Sequence, residues 1–323
     1  MNHAMPIAFP LAIAVVLGWA PVALAQAPKL ARIGILTDAM VAWHSTTEGF
    51  RDGLKEFGYV EGKTVVFEPR AVQGDMTRAQ AMMAELVRQK PDLLLCVSDA
   101  CRRGNEAIPM VFVQVSDPVR IGLVESIPRP GGNVTGIANL RAELTAKRLE
   151  LFKEIVPSLQ RVLISYDPLE KEERDSLAFA RIAAARLGLT LLERAVAART
   201  DIEAGLAELD EGGRDGILIV QSGTNLNIPG RSLEVATSHN LATMYPSSFW
   251  ANFGALASYG ADQYAQGRQA ARLAHKILTG SRPREIPVEL PDRIELIVNL
   301  RTAKRIGLRI SPLVFSRADR VIQ

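Results

Sequence analysis

The sequence predicts an α/β fold of two doubly wound, Rossmann-like lobes with parallel sheets. Three observations lead there. Short apolar runs alternate with amphipathic helical patterns along most of the 323 residues. The runs are apolar at nearly every position, which marks strands buried on both faces and hence parallel sheets covered by helices. The alternation also comes as two series, the second starting near Arg161, and 323 residues suit two lobes of ordinary size.

In the first series, Arg32–Leu36 is a strand. Ser45 offers an N-cap with Glu48 completing a capping box, and Phe50, Leu54 and Phe57 share one helical face before Gly58. Thr64–Phe67 is the next strand. Thr77 with Gln80 opens a second helix, whose Met82, Met83, Leu86 and Val87 face inward, and Pro91 ends it. Leu93–Val97 and Met110–Val113 follow as strands. In the second series, Val162–Ile164, Thr190–Leu192 and Ile217–Val220 read as strands. Leu177, Ala180, Ala184 and Leu187 form a helical face ending at Gly188. Asp262 caps a late helix with Ala270, Leu273, Ala274 and Ile277 inward. Arg272, His275 and Lys276 crowd its last turns, as the helix dipole favours, and Gly280 closes it.

Composition narrows the function. With 38 basic and 35 acidic residues the formal charge is +3, and no Lys/Arg block exceeds a pair. That argues against a nucleic-acid surface, which needs clustered cations. The apolar stretch from about Ile7 to Ala20, followed by Pro21 and Ala23-Leu24-Ala25, reads as a secretory signal over residues 1–25, cleaved before Gln26. The stretch is shorter than the ~20 residues that span a bilayer. The expected location is periplasmic. Cys96 and Cys101 can form a bridge in an oxidising compartment or remain two thiols; their spacing does not decide.

Ligands of open parallel sheets bind where strands end, because chains splay apart there and helix N-termini present free N–H groups. The candidate ligand-binding residues are therefore those leaving the strands: Asp38, Ser98, Asp99, Ser116, Asp117, Tyr166, Asp167, Ser222, Thr224 and Asn225. Trp43 and His44 from the first loop join them, with Tyr259. Any one of the small polar groups can instead be an N-cap. As a set they suit a small ligand with hydrogen-bonding groups. Carboxylates favour an amine on it and helix N-termini favour a carboxylate, so an amino acid would use both.

Catalytic signatures are absent. Gly58–Thr64 mimics a phosphate-binding loop but has three residues between its glycines and joins a helix to a strand. No Rossmann fingerprint, nucleophile elbow or zinc-type His pattern occurs, and the two cysteines lack zinc spacing. The expectation is a non-enzyme with no cofactor and no metal. His239 and His275 read as structural; only His44 lies in a site loop.

Six segments occur in an order that resembles a known family: Gly58–Lys63, Ile108–Phe112, Ser116–Pro118, Pro130–Gly136, Gly254–Gly260 and Glu295–Leu300. The likeness runs from about Ala31 to Pro312. It is to the ABC-transporter substrate-binding family that includes tryptophan- and other aromatic-amino-acid-binding members. The resemblance implies a type I periplasmic binding (Venus-flytrap) architecture with a ligand cleft between the lobes. The first lobe would hold residues 28–140 plus 257–283, the second 141–256 plus 284–323. It places Asp117 near the cleft and Asn133–Gly136 on the way to the crossover. It further implies a protein that delivers a small molecule to an inner-membrane permease driven by a separate cytoplasmic ATPase; a monomer is expected, although the sequence does not identify the oligomeric state. An exported sensor for a membrane receptor, or an α/β enzyme, are the alternatives. The segment Ser98–Ala107 departs from the family pattern. It is shorter by roughly a helical turn and carries an acid, Asp99, where relatives offer a neutral hydroxyl near the ligand carboxylate.

Overall fold

The computed structural model describes Met1 and residues 30–73, 75–101, 108–139, 142–210, 213–220 and 228–323. The expected signal segment, Ser222, Thr224 and Asn225 lie outside the described residues.

The elements follow in order: β1 (Ala31–Thr37), α1 (Ser45–Glu56), β2 (Val65–Ala71), α2 (Ala79–Arg88), β3 (Leu93–Val97), β4 (Met110–Val115) and β5 (Val134–Ala138). Then come α3 (Glu143–Ile155), β6 (Arg161–Tyr166), α4 (Lys171–Leu187), β7 (Thr190–Ala195), α5 (Arg199–Leu206), β8 (Asp215–Leu218), α6 (Ile228–Ser238), β9 (Ala242–Tyr245), α7 (Ser248–Asn252) and β10 (Ala257–Ala261). The chain ends with α8 (Gln263–Leu278), β11 (Ile294–Asn299), α9 (Leu300–Arg305), α10 (Pro312–Arg317) and β12 (Arg320–Ile322).

Two sheets result. The first has the order β2-β1-β3-β4-β5 and is parallel throughout; the second has the order β12-β11-β10-β9-β8-β6-β7, with only the β10–β11 pair antiparallel. Alternate residues of each inner strand enter different cores. Ile33, Ile35, Leu93, Leu95, Val111 and Val113 pack under α1 and α8. Leu94, Cys96, Met110 and Phe112 pack against Met83 and Leu86 of α2. In the second sheet Val162 and Ile164 meet α3 and α4, while Leu163 and Ile217 meet α5 and α6. This is why the strands read as continuous apolar runs. Each fully buried Leu, Ile or Val contributes about 1.5–3 kcal/mol.

Lobe boundaries differ from the expected ones at both later crossings. The return to the first lobe was expected at residue 257, yet Ala257–Ala261 is β10, hydrogen-bonded between β9 and β11 of the second sheet. Strand neighbours on both edges satisfy its main-chain N–H and C=O groups. The return is made by α8. The final crossing was expected at residue 284, but Ile286 and Val288 are buried in the cores of the first lobe. Glu289 still bridges Ile137 beside β5. The chain leaves for β11 only after it.

Helix starts also shift by a residue or two. Ser45 is the first residue of α1 and His44 is its cap; the Thr47 hydroxyl accepts the His44 N–H at 2.9 Å. The second helix opens through a tight turn capped by Asp75, which accepts the Thr77 N–H at 3.1 Å. Asp262 caps α8 as expected, accepting the Ala265 N–H at 3.0 Å. Gly58–Thr64 is a turn pinned by the Thr64 hydroxyl, which accepts the Val60 N–H at 2.7 Å and donates to the Gly58 carbonyl at 3.0 Å. Cys96 and Cys101 are bridged, with Cα atoms 5.5 Å apart.

α8 is held to α1 by backbone proximity. A Cβ on Gly49 would meet the Tyr264 carbonyl oxygen at 2.1 Å, and one on Gly267 the Thr46 carbonyl oxygen at 2.0 Å. At the far end the His275 ring stacks on Phe57, centroids 4.4 Å apart, and its Nδ1 lies 3.3 Å from the Tyr59 hydroxyl. Replacing Gly267 by Ala gains about 1 kcal/mol of helix propensity. The clash is with a main-chain oxygen that cannot rotate away, and overpacking of this kind costs about 1–3 kcal/mol or more. The clash should win: Gly267→Ala is expected to lower the midpoint of thermal unfolding by several degrees, and an unchanged or raised midpoint would refute the close-packing argument.

Candidate functional site

The carboxyl ends of β4 and β6 face each other across the lobes. Between them lies a cavity of ≈ 290 Å³, lined from the first lobe by Ser116, Asp117 and Arg120 and from the second by Glu143, Glu172 and Asp175. The first crossover, at Ala138 and Asn139, forms one wall. Two of the expected site residues, Ser116 and Asp117, are brought together here. The Ser116 Oγ is buried with no hydrogen-bond partner among the described residues. Asp117 accepts the Arg120 N–H at 3.0 Å and pairs with its guanidinium at 3.3 Å. The same guanidinium reaches Glu172 of the other lobe at 3.5 Å, so Arg120 ties the two lobes together. Asp175 pairs with Lys171 one turn away, and Glu143 has no ion-pair partner among the described residues. Among the described residues, four carboxylates line the cavity, and Arg120 and Lys171 are the cations paired with three of them.

A polar cluster sits beside the crossovers. Gln114 breaks the β4 ladder with a φ of 66°. Its side-chain amide donates to Thr46 Oγ1 at 3.0 Å and to Gln266 Oε1 at 3.2 Å. The Gln266 Nε2 is buried without an acceptor among the described residues. Arg148, 2% exposed, donates to the Tyr259 carbonyl at 2.7 Å and to Thr145 Oγ1 at 3.2 Å. A void of ≈ 10 Å³ lies among Gln114, Arg148, Ser247, Gln263 and Gln266, about the room of one water.

The other expected residues take varied positions. Asp38 is half-buried in the loop after β1. Trp43 packs edge-on against Phe67, centroids 5.7 Å apart, under the Arg51 guanidinium at 4.8 Å. Its ring serves the first lobe's packing. Ser98 is buried with a φ of 63°, in the tight turn that the Cys96–Cys101 bridge closes; the Asp99 side chain lies outside the described residues. Tyr166 and Tyr259 are half-buried against the core of the second lobe. Asp167 is a turn residue: its Oδ1 accepts the Leu169 N–H at 2.8 Å, and its own N–H donates to Glu173 at 2.6 Å. The acids that α4 brings to the cavity are Glu172, in its first turn, and Asp175, in the next; in the sequence both look like ordinary surface acids of a helix. Arg120, Glu143, Arg148, Gln114 and Gln266 also went unnoticed. The one available signal was a cation inside the apolar face of α3.

His44 illustrates the electrostatics of these loops. Thr37 Oγ1 accepts the Ala39 N–H at 3.2 Å and lies 2.9 Å from His44 Nε2. The Thr37 hydroxyl and the His44 ring thus share a hydrogen bond at the end of β1. Burial pushes the imidazole pKa down to about 4. Above pH 6.5 the ring is neutral both folded and unfolded. Between pH 6.5 and about 4 only the unfolded chain takes up the proton, so stability falls as the pH falls through that window. Denaturant unfolding of the wild type and of His44→Gln should show this loss much reduced in the variant; equal pH slopes would disprove it.

Among the described residues no group of three or more His, Cys, Asp or Glu could hold a metal ion, and no helix is long and apolar enough to cross a membrane. Comparison with known proteins bears on this arrangement. A family model described as ABC transporter substrate binding protein matches residues 35–322. The tyrosine-binding protein of Clostridioides difficile (strain R20291) is 26% identical over 268 residues, 81% of this chain and 76% of its own length. A conserved domain protein of Vibrio cholerae has the same architecture, with TM-score 0.79 and 27% identity over 91% of this chain and 100% of that one. An ABC domain from Streptococcus pneumonia in complex with L-Trp gives TM-score 0.78 at 23% identity, over 91% and 100% of the two chains. Two lobes, three crossovers and an interlobe cavity form the type I periplasmic binding architecture. The family match spans all of them: the chain belongs to the ABC transporter substrate-binding protein family.

Proposed function

We propose that this protein captures a small amino-acid-like solute outside the inner membrane and delivers it to the permease of an ABC importer. The single observation that carries the reading is the cavity at the strand ends, whose polar groups come from both lobes. A ligand there gains contacts from the Ser116–Arg120 turn and from the first turn of α4 together only when the lobes are closed. Differential binding of that kind drives a hinge equilibrium toward closure. The excess of carboxylates favours a ligand bearing an ammonium group, and the unpartnered Ser116 hydroxyl supplies a further hydrogen-bonding position. An amino acid as ligand agrees with the tyrosine binding of the Clostridioides difficile relative. The permease reads the closed pair of lobe faces, and the energy for transport comes from a separate ATPase.

Isothermal titration against amino acids and their des-amino analogues tests the reading. At least one amino acid should bind, its des-amino analogue should bind tenfold or more weakly, and Glu172→Gln should weaken the amino acid by a similar factor, about 1.4 kcal/mol. Failure of every amino acid, or equal binding of the des-amino form, would remove the basis for an ammonium-bearing ligand.

A further inference from the structure

Charge is unevenly shared along this chain. Residues 300–323 carry six cations and one acid, while residues 1–299 carry 32 cations and 34 acids. The segment that holds the excess is α9, the turn after it, α10 and β12. Arg317 is neutralised by Glu154 of α3, and Arg301 is held on the Gln323 main-chain oxygen. Lys304, Arg305 and Arg309 are exposed and have no ion-pair partner among the described residues; Arg320, on the short edge strand β12, is exposed as well. Leu313 of α10, which lies between them in the chain, is 62% exposed.

Strand direction fixes where α9 begins. β10 runs from Ala257 to Ala261, and Ala261 lines the void beside the crossovers. β11 is antiparallel to it, with Val298 opposite Ala257. The Asn299 end of β11, where α9 starts, is therefore about a strand's length, roughly 15 Å, from the crossover end. That exceeds the Debye length of about 8 Å at physiological salt, so the cations at the start of α9 are screened from the acids at the crossover end.

We infer that this cationic end of the second lobe docks the protein on an anionic phospholipid surface. The charges are spread over three successive segments rather than converged on one point, so they suit a diffuse layer of negative headgroups. Such a layer demands no matching shape, and each cation near it contributes attraction that falls away within a Debye length. The single exposed Leu313 adds a small apolar contact at the headgroup boundary. Lobe movement stays free, because the surface belongs to one lobe and lies away from the cavity.

The test uses the purified chain from Gln26 onward; every described strand and helix starts at Ala31 or later, so this form keeps the fold without the N-terminal apolar segment. Sedimentation with vesicles of phosphatidylglycerol and phosphatidylcholine should recover the protein at low salt. Vesicles of pure phosphatidylcholine, or ~0.5 M salt, should not. Each cation is expected to contribute about fivefold to partitioning, so the triple reversal K304E/R305E/R309E should lose about a hundredfold or more. The reversal K55E/K63E/R88E on the first lobe, equal in net charge, should lose far less. Circular dichroism must show both variants folded. Absence of binding to the anionic vesicles would overturn the proposal and leave an acidic protein face as the remaining partner for this surface. Equal losses in the two triple variants would overturn it as well, since net charge alone would then explain the effect.

Discussion

A parallel sheet buried on both faces leaves only the ends of its strands for polar work. Ile33, Leu95 and Val111 are sealed under α1 and α8, while Leu94, Cys96 and Phe112 are sealed on the opposite face. No polar side chain could stand at those positions without losing its hydration to an apolar core. Small polar groups therefore collect where β1, β3, β4 and β6 stop, and the connecting loops inherit them. The cavity at Ser116, Asp117 and Glu172 follows from this exclusion: two sealed sheets, joined end to end, can meet a solute only in the gap between their strand ends.

Three crossovers hold that gap, and they are held by polar bonds. Glu289 pairs with β5 through the main chain, Ala138 N–H to Glu289 carbonyl at 2.8 Å and Glu289 N–H to Gly136 carbonyl at 2.9 Å. Its carboxylate accepts both guanidinium N–H groups of Arg272 and the Gln269 amide, all from α8. Asp262 at the second crossover donates its N–H to the Arg293 carbonyl at the third. Bonds of this kind run along the crossovers more than across the lobes, so they fix the position of the hinge while leaving its angle to the few groups that span the cleft. Arg120, reaching Asp117 and Glu172, is the clearest of these. A partly exposed pair of this sort is worth no more than about 1 kcal/mol, which a bound solute can readily replace.

Sequence reading recovered the architecture because the signals of a buried strand are local. Leu93–Val97 and Val162–Ile164 announce themselves by composition, and Gly188 and Asp262 mark helix ends by their own chemistry. The same reading misplaced β10, because Ala257–Ala261 is too small and mixed to declare which sheet it joins; only its pairing with β9 and β11 decides. At the cavity the reading found Ser116 and Asp117, which directly follow an obvious strand. Glu172 is hidden because acids in a first helical turn are expected for dipole reasons anywhere, and Asp175 because it stands one turn from Lys171 as an ordinary helix-surface pair. The Trp43 ring, expected at the ligand, packs against Phe67 and under Arg51. Which way an aromatic side chain turns from a loop depends on residues distant in sequence, and no spacing encodes it.

The polarity of the molecule is consistent with its division of labour. Acids line the interlobe cavity, and exposed cations without an ion-pair partner among the described residues begin about a strand's length from the crossover, at the start of α9. In one low-dielectric body such charges would partly cancel, but at physiological salt they are separated by more than a screening length. Each surface can then act on its own partner. The near-neutral total of +3 conceals this arrangement, because it averages over a chain whose last segment and whose cleft carry opposite signs. Net charge says little about local recognition, which is set by the side chains that fold topology brings within about 10 Å of one another.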